Sequence, residues 1–310
     1  MYPGIHAAAD PDRPAIIIGE TGSVVTYAEL DRRSAGLSVA LGDMGLTSGD
    51  VVAVLVDNIA EYFDIYWAVM QSGMYITPIN RYLSAEEVAY IVNDCDAKVL
   101  FCSAVLGEVG KAIVDMTPAV EFRYGIRGPI EGYRDYDALI ESYLGRRPST
   151  LPRGAEMMYS SGTTGRPKGI RSASMTIQVT EPGEPLTAIL DQRFHIGAKD
   201  VYLQPAPIYH GASVKWAAAI HSLGGTVLMM YKFDAELALE LIDRYPVTIA
   251  QFVPTMFVRM LQLPEENRAK YDVSSMKIAM HSAAPCPPEV KEKMIEWWGS
   301  VVGSGTGAVS

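Results

Sequence analysis

The chain has 310 residues, 49% of them hydrophobic and 20% charged, enough for one large domain or two smaller ones around a packed core. Its formal net charge of -10 argues against non-specific binding to nucleic acid, although local loops can still hold anions. Three cysteines, Cys95, Cys102 and Cys286, show neither metal-ligand spacing nor a disulfide framework, so they read as small apolar residues in a reducing compartment.

The first residues, Met1 to His6, contain no basic segment followed by an apolar core, so no signal peptide is expected. The longest apolar region, 216–231, is interrupted by His221, Gly224 and Gly225 and is too short to span a bilayer. A soluble, cytoplasmic protein without a transmembrane segment is expected. Peripheral contact with a membrane surface is left open, and oligomeric state is not readable.

In chain order, the β-branched runs 15–19 and 23–26, split by Gly22, predict a hairpin. Thr26 to Glu29 has the capping-box pattern, and Leu30, Leu37 and Leu41 recur on one helical face up to Gly45. Residues 50–56 form an almost continuous apolar run, as in a strand covered on both faces. A helix over 61–72, a strand over 75–79, a capped helix from Ser84 to Val92 and a strand over 98–102 follow. Residues 115–151 are irregular and predict an edge strand and a short helix near 136–143. Beyond 160 the spacing predicts strands over 201–204, 226–231, 247–253 and 277–281. Helices are predicted over 212–223, 235–245 and 287–298, with another after Pro254. Alternation of this kind predicts an α/β fold of two doubly wound, mainly parallel sheet lobes. The expected lobes are residues 1–155 and 156–310.

One stretch stands out, Tyr159-Ser160-Ser161-Gly162-Thr163-Thr164-Gly165-Arg166-Pro167-Lys168-Gly169. It follows a short apolar strand. Glycines let backbone N–H groups turn toward one point, hydroxyls add neutral donors, and Lys168 adds a mobile positive charge. Such a loop suits a polyphosphate; its plainer reading is a solvated turn. It is not the ordinary P-loop, because Arg166 and Pro167 separate Gly165 from Lys168.

Ligands of doubly wound sheets bind beyond the C-terminal ends of strands. Two further stretches follow strands there. Pro207 to Gly211 carries His210, which could contact substrate or gate a channel, or serve as a hydrogen-bonded structural histidine. His281 to Cys286 carries the small residues Ser282, Ala283 and Ala284, which would let a flat ring lie on the backbone or simply make a tight turn. Residues 250–253 and 256–261 could wall an acyl pocket, although their spacing also fits core. Ser274 to Lys277 fits Ser-x-x-Lys without its companion motifs, and Gly303 to Ala308 fits the dinucleotide fingerprint without the following helix.

The loop Ser-Gly-Thr-Thr-Gly-Arg-Pro-Lys-Gly resembles the phosphate loop of the adenylate-forming superfamily, which includes acyl-CoA synthetases, luciferases and the adenylation domains of peptide synthetases. Thr26 to Leu30, Gly49 to Val54, Asn80 to Glu87, Pro207 to Gly211 and Ser282 to Pro285 fall in the order seen in acyl-CoA synthetases. The runs 253–261 and 284–291 look like bacterial fatty-acid or medium-chain acyl-CoA ligases. The resemblance covers nearly all of residues 10–300.

It implies a two-step reaction. A carboxylate attacks the α-phosphorus of Mg-ATP, giving an acyl-adenylate and pyrophosphate; coenzyme A thiolate then displaces AMP. The implied co-substrates are ATP with Mg²⁺, coenzyme A and a small-molecule carboxylate. Ser160, Ser161, Gly162, Thr163, Thr164, Gly165 and Lys168 would cradle the phosphates. Ser282, Ala283, Ala284, Pro285 and Thr306 would border adenine and the acyl group. His210 and Lys168 are the implied catalytic residues.

The end of the chain departs from the family pattern. Gly307 stands where a magnesium-holding glutamate is expected, so no metal ligand is assigned. The expectation is therefore a chain cut before the end of the large N-terminal domain and lacking the small C-terminal domain. Its rival reading is a catalytically inactive nucleotide-binding or interaction fragment.

Overall fold

Short β-branched runs become strands here, and capped amphipathic runs become the helices between them. The computed structural model describes residues 1–160, 166–172, 176–282 and 284–304. Helix α1 (Pro3–Ala9) precedes a hairpin of β1 (Pro14–Ile18) and β2 (Val24–Thr26). Next come α2 (Tyr27–Asp43), β3 (Val51–Leu55), α3 (Glu61–Met70), β4 (Tyr75–Pro78), α4 (Ala85–Asp94) and β5 (Ala97–Ser103). They are followed by α5 (Gly107–Ala112), β6 (Phe122–Ile126), β7 (Arg134–Asp135), α6 (Tyr136–Tyr143), β8 (Ala155–Ser160) and β9 (Lys168–Arg171). The remaining elements are α7 (Pro185–Phe194), β10 (Val201–Gln204), α8 (Gly211–Leu223), β11 (Thr226–Met229), α9 (Ala235–Arg244), β12 (Ile249–Phe252), α10 (Pro254–Leu261), α11 (Glu265–Arg268), β13 (Ile278–His281), α12 (Pro288–Trp298) and β14 (Val302–Ser304).

The chain divides into two compact units. The first comprises Met1–Asp12 and Tyr27–Pro182, the second Arg13–Thr26 and Gly183–Ser310. This division differs from the expected boundary at 155. Strand β8 pairs in parallel with β4, Tyr75 beside Ala155, so the strand leading into the glycine-rich loop belongs to the first unit. The N-terminal hairpin crosses the other way: β1 pairs with β11, Ile16 beside Val227, and belongs to the second unit.

In the first unit the sheet order is β7-β6-β5-β3-β4-β8-β9. All neighbours are parallel except the antiparallel β8–β9 pair. Strand β3 is buried along its whole length, as its unbroken apolar run predicts. On one face Val51, Ala53 and Leu55 meet Val88, Ile91 and Val92 of α4. Helix α6 covers part of the sheet too, since the Tyr136 ring meets Phe101 edge-on at 5.9 Å.

In the second unit the order is β14-β13-β12-β10-β11-β1-β2, parallel apart from the β1–β2 hairpin. Side chains alternate between faces. Leu203, Leu228, Ala250, Phe252 and Ala279 pack with α9, α10 and α12. Tyr202 points the other way and stacks on Trp216 of α8, centroids 6.1 Å apart. Met256, Phe257 and Met260, entertained as walls of an acyl pocket, are buried in the core of the α9–α10–α12 face.

Strands β7, β9 and β14 and helices α1, α5, α7 and α11 lie outside the predicted elements. All four residues of β9 are exposed, so no apolar alternation marks it. Helix α7 buries only Leu186, Thr187 and Leu190, and it stops where His195 turns to φ 51°.

Candidate functional site

The glycine-rich loop is carried by the β8–β9 hairpin. The register sets Ser160 opposite Lys168 and Tyr159 opposite Gly169. Ser161, Gly162, Thr163, Thr164 and Gly165 lie outside the described residues. The backbone of Ser160 and Lys168 thus forms the mouth from which the loop springs, with Lys168 exposed there.

Helix α4 holds this stem. Its N-terminus is fixed by a complete capping box: Ser84 Oγ accepts from Glu87 N, and Glu87 Oε2 accepts from Ser84 N at 2.9 Å. At its other end Asp94 Oδ2 accepts from the Tyr159 hydroxyl at 2.6 Å. Burial, reinforced by that hydrogen bond, raises the Tyr159 pKa well above the ordinary phenol value. Tyr90 donates its hydroxyl to the Pro167 carbonyl at 3.2 Å, and the Arg166 guanidinium lies over the Tyr90 ring at 5.0 Å. At Gly169 a Cβ would stand 2.9 Å from the Tyr159 hydroxyl and 2.6 Å from Met157 Cε, so a larger residue there would displace those side-chain ends. Arg171, two residues further, lies over the Tyr75 ring at 5.2 Å.

Three cationic side chains, Arg166, Lys168 and Arg171, therefore flank the stem. Two of them lean on aromatic faces and Lys168 stays exposed. Among the described residues no group of three histidine, cysteine or acidic side chains could hold a metal ion. The stem is chemically equipped for an anion.

The remaining predicted residues lie in the second unit. His210 occupies the N-cap of α8 without a side-chain capping bond, its ring 4.4 Å from that of Tyr209. Partial burial lowers its pKa below the ordinary imidazole value, which favours the neutral ring. Ser282 follows β13, and its Oγ meets Gln251 Nε2 at 2.7 Å. Its N–H donates to the Phe252 carbonyl at 3.1 Å. Ala284 and Pro285 are exposed, while Ala283 and Thr306 lie outside the described residues.

Sequence reasoning missed Tyr90, Asp94 and Tyr159 as the fixing points of the stem, and Gln204 and Gln251 at the strand ends. The first three are ordinary helix and strand residues whose meeting depends on β8 lying beside β4. The glutamines carried a signal: each is an amide inside an otherwise apolar strand.

The AMP-binding enzyme family model matches residues 5–308. A 4-coumarate–CoA ligase of Humulus lupulus is 28% identical over 290 residues, 92% of this chain and 52% of that protein. A fatty acid–[acyl-carrier-protein] ligase of Streptomyces coeruleorubidus is 28% identical over 294 residues, 94% of this chain and 54% of that protein. The chain thus spans about half the length of the curated relatives it matches. Among solved structures, the N-terminal domain of a Mycobacterium tuberculosis protein, FACL13, superposes with a TM-score of 0.82 at 24% identity, over 99% of this chain and 74% of that one. A red-emitting luciferase of Phrixothrix hirtus gives 0.83 at 21%, over 97% and 58%. The extent of the family match and the two parallel-sheet units agree: the chain belongs to the AMP-binding enzyme family.

Proposed function

We propose that the chain takes part in ATP-dependent activation of a carboxylic acid, fatty or medium-chain, to an acyl-adenylate and then to a coenzyme A thioester. The observation that carries this reading is the hairpin stem: Ser160 and Lys168 paired at the root of a glycine- and hydroxyl-rich loop, in a chain of the AMP-binding family. Curated relatives named as acid–CoA ligases support the same chemistry.

A carboxylate is a poor electrophile, and AMP gives it a stable leaving group. The obstacle is bringing one anion to another, which donors aimed at the developing charge relieve. Ser160, Ser161, Gly162, Thr163, Thr164, Gly165 and Lys168 would hold the β- and γ-phosphates of Mg-ATP, with magnesium arriving on the nucleotide. Lys168 would neutralise charge on the phosphates. A neutral His210 would sit by the acyl carbonyl and the thiol path. Ser282, Ala283, Ala284, Pro285 and Thr306 would border adenine and the acid.

Carboxylate-dependent ATP–pyrophosphate exchange tests the first step. With acids from acetate to palmitate, exchange is expected for at least one acid. Thr164→Ala should lower it by roughly 10- to 100-fold, the worth of one hydrogen bond to a charged group. Measurable ATP binding without exchange for any acid would favour an inactive nucleotide-binding chain instead.

A further inference from the structure

A parallel sheet opens a crevice where strand order reverses, because successive connections there run to opposite sides. In the second unit this point lies between β10 and β12. The chain leaves β10 for β11 on one side and leaves β12 for β13 on the other. The register places Tyr202 beside Ile249 and Leu203 beside Ala250, so the next pair in step is Gln204 and Gln251. Both glutamines share the face on which Tyr202 stacks against Trp216 of α8.

These groups are buried, with Tyr202 and Gln204 at 0% exposure and Gln251 at 1%. Yet Tyr202 Oη, both amide atoms of Gln204 and Oε1 of Gln251 have no hydrogen-bond partner among the described residues. Gln251 Nε2 is already engaged by Ser282 Oγ at 2.7 Å and by the Phe252 carbonyl at 3.0 Å. Burying several unpartnered polar groups side by side is costly, and the opposite face of the same strands is wholly apolar. The cost is recovered if something enters between the strand ends and α8 and bonds to them.

We propose that Gln204 and Gln251, with Tyr202, select an acid whose tail carries a hydroxyl over the same acid without it. This rests on the carboxylate-activation reading above. A hydroxyl both donates and accepts. It can donate to Gln251 Oε1 and accept from Gln204 Nε2, which pairs two of the unpartnered atoms at once. A plain alkyl tail in the same position leaves them unpaired, and sites built this way discriminate strongly against the analogue lacking the hydroxyl.

The test is calorimetric titration of the 310-residue chain with acid pairs differing by one hydroxyl: octanoate against 8-hydroxyoctanoate, and cinnamate against 4-hydroxycinnamate. ATP is titrated separately. In at least one pair the hydroxylated acid should bind roughly tenfold or more tightly. Gln204→Met, close in volume, should reduce that preference to about threefold or less while ATP affinity stays the same, and Gln251→Met should reduce the preference likewise. Because Gln204→Met removes only unpartnered groups, its melting temperature should not fall. Equal binding within both pairs, or a preference that survives both substitutions, overturns the inference and leaves the activation reading standing. Binding of ATP but of no acid overturns both.

Discussion

Neither ring nitrogen of His281 has a hydrogen-bond partner among the described residues, and the side chain is 4% exposed. Its ring meets Phe257 edge-on, with centroids 6.1 Å apart. Burial first, and then the nearby Lys291 charge, lower its pKa from the ordinary 6.5. The folded chain therefore prefers the neutral ring, while the unfolded chain takes up a proton near pH 6.5. Stability from this group is complete above that pH and declines as pH falls toward the depressed folded value. His281→Phe should remove the decline, so the difference between the wild-type and variant urea midpoints should be constant above pH 7 and change below about 6.5. A constant difference between pH 5 and 8 would show that the ring does not titrate differently on folding. The sequence marked this residue as the end of a strand and the opening of the stretch that follows it. What makes it distinctive is its register beside Phe252, which turns it toward the apolar face.

Helix α4 shows how an ordinary element comes to serve a loop far away in sequence. Its capping box was legible in Ser84-Ala85-Glu86-Glu87, because the two hydrogen bonds are local and depend on spacing alone. The cap of α9 is equally local, with Asp234 Oδ1 accepting from Glu236 N and Leu237 N. By contrast, the Tyr159–Asp94 and Tyr90–Pro167 bonds join residues 65 and 77 apart and left no local mark. Ser84→Ala should cost about 1 kcal/mol of the first unit's stability in urea unfolding. Ser84→Asp, which keeps an N-cap acceptor, should recover most of it. A loss as large in Ser84→Asp as in Ser84→Ala would mean that the cap is not what Ser84 contributes.

For the molecule as a whole, the decisive feature is the exchange of chain between the two units. Residues 13–26 precede all of the first unit's sheet, yet they complete the second unit's sheet. Strand β1 covers the edge of β11, and Gly19 takes a place where a Cβ would stand 2.5 Å from Leu241 Cδ1 of α9. A chain beginning at residue 27 should thus expose the β11 edge, an open template for association. It is expected to lose the near-ultraviolet signal of Trp216 and to aggregate. A peptide of residues 13–26 added in trans should restore part of both. A monomeric chain with an unchanged Trp216 signal would count against that role for the hairpin.

Strand and helix alternation and the Ser84–Glu87 capping box could be read from the sequence because each follows from contacts between residues a few positions apart. The two-lobed parallel fold followed from that alternation, and the family from the loop and the order of its companion motifs. Tertiary structure alone assigned β8 to the first unit and the N-terminal hairpin to the second, since strand pairing joins segments without regard to their separation in sequence. It alone brought Tyr90, Asp94 and Tyr159 to the loop stem and set Gln204 beside Gln251 with unpaired atoms. Such placements depend on register and burial, which spacing along the chain does not encode.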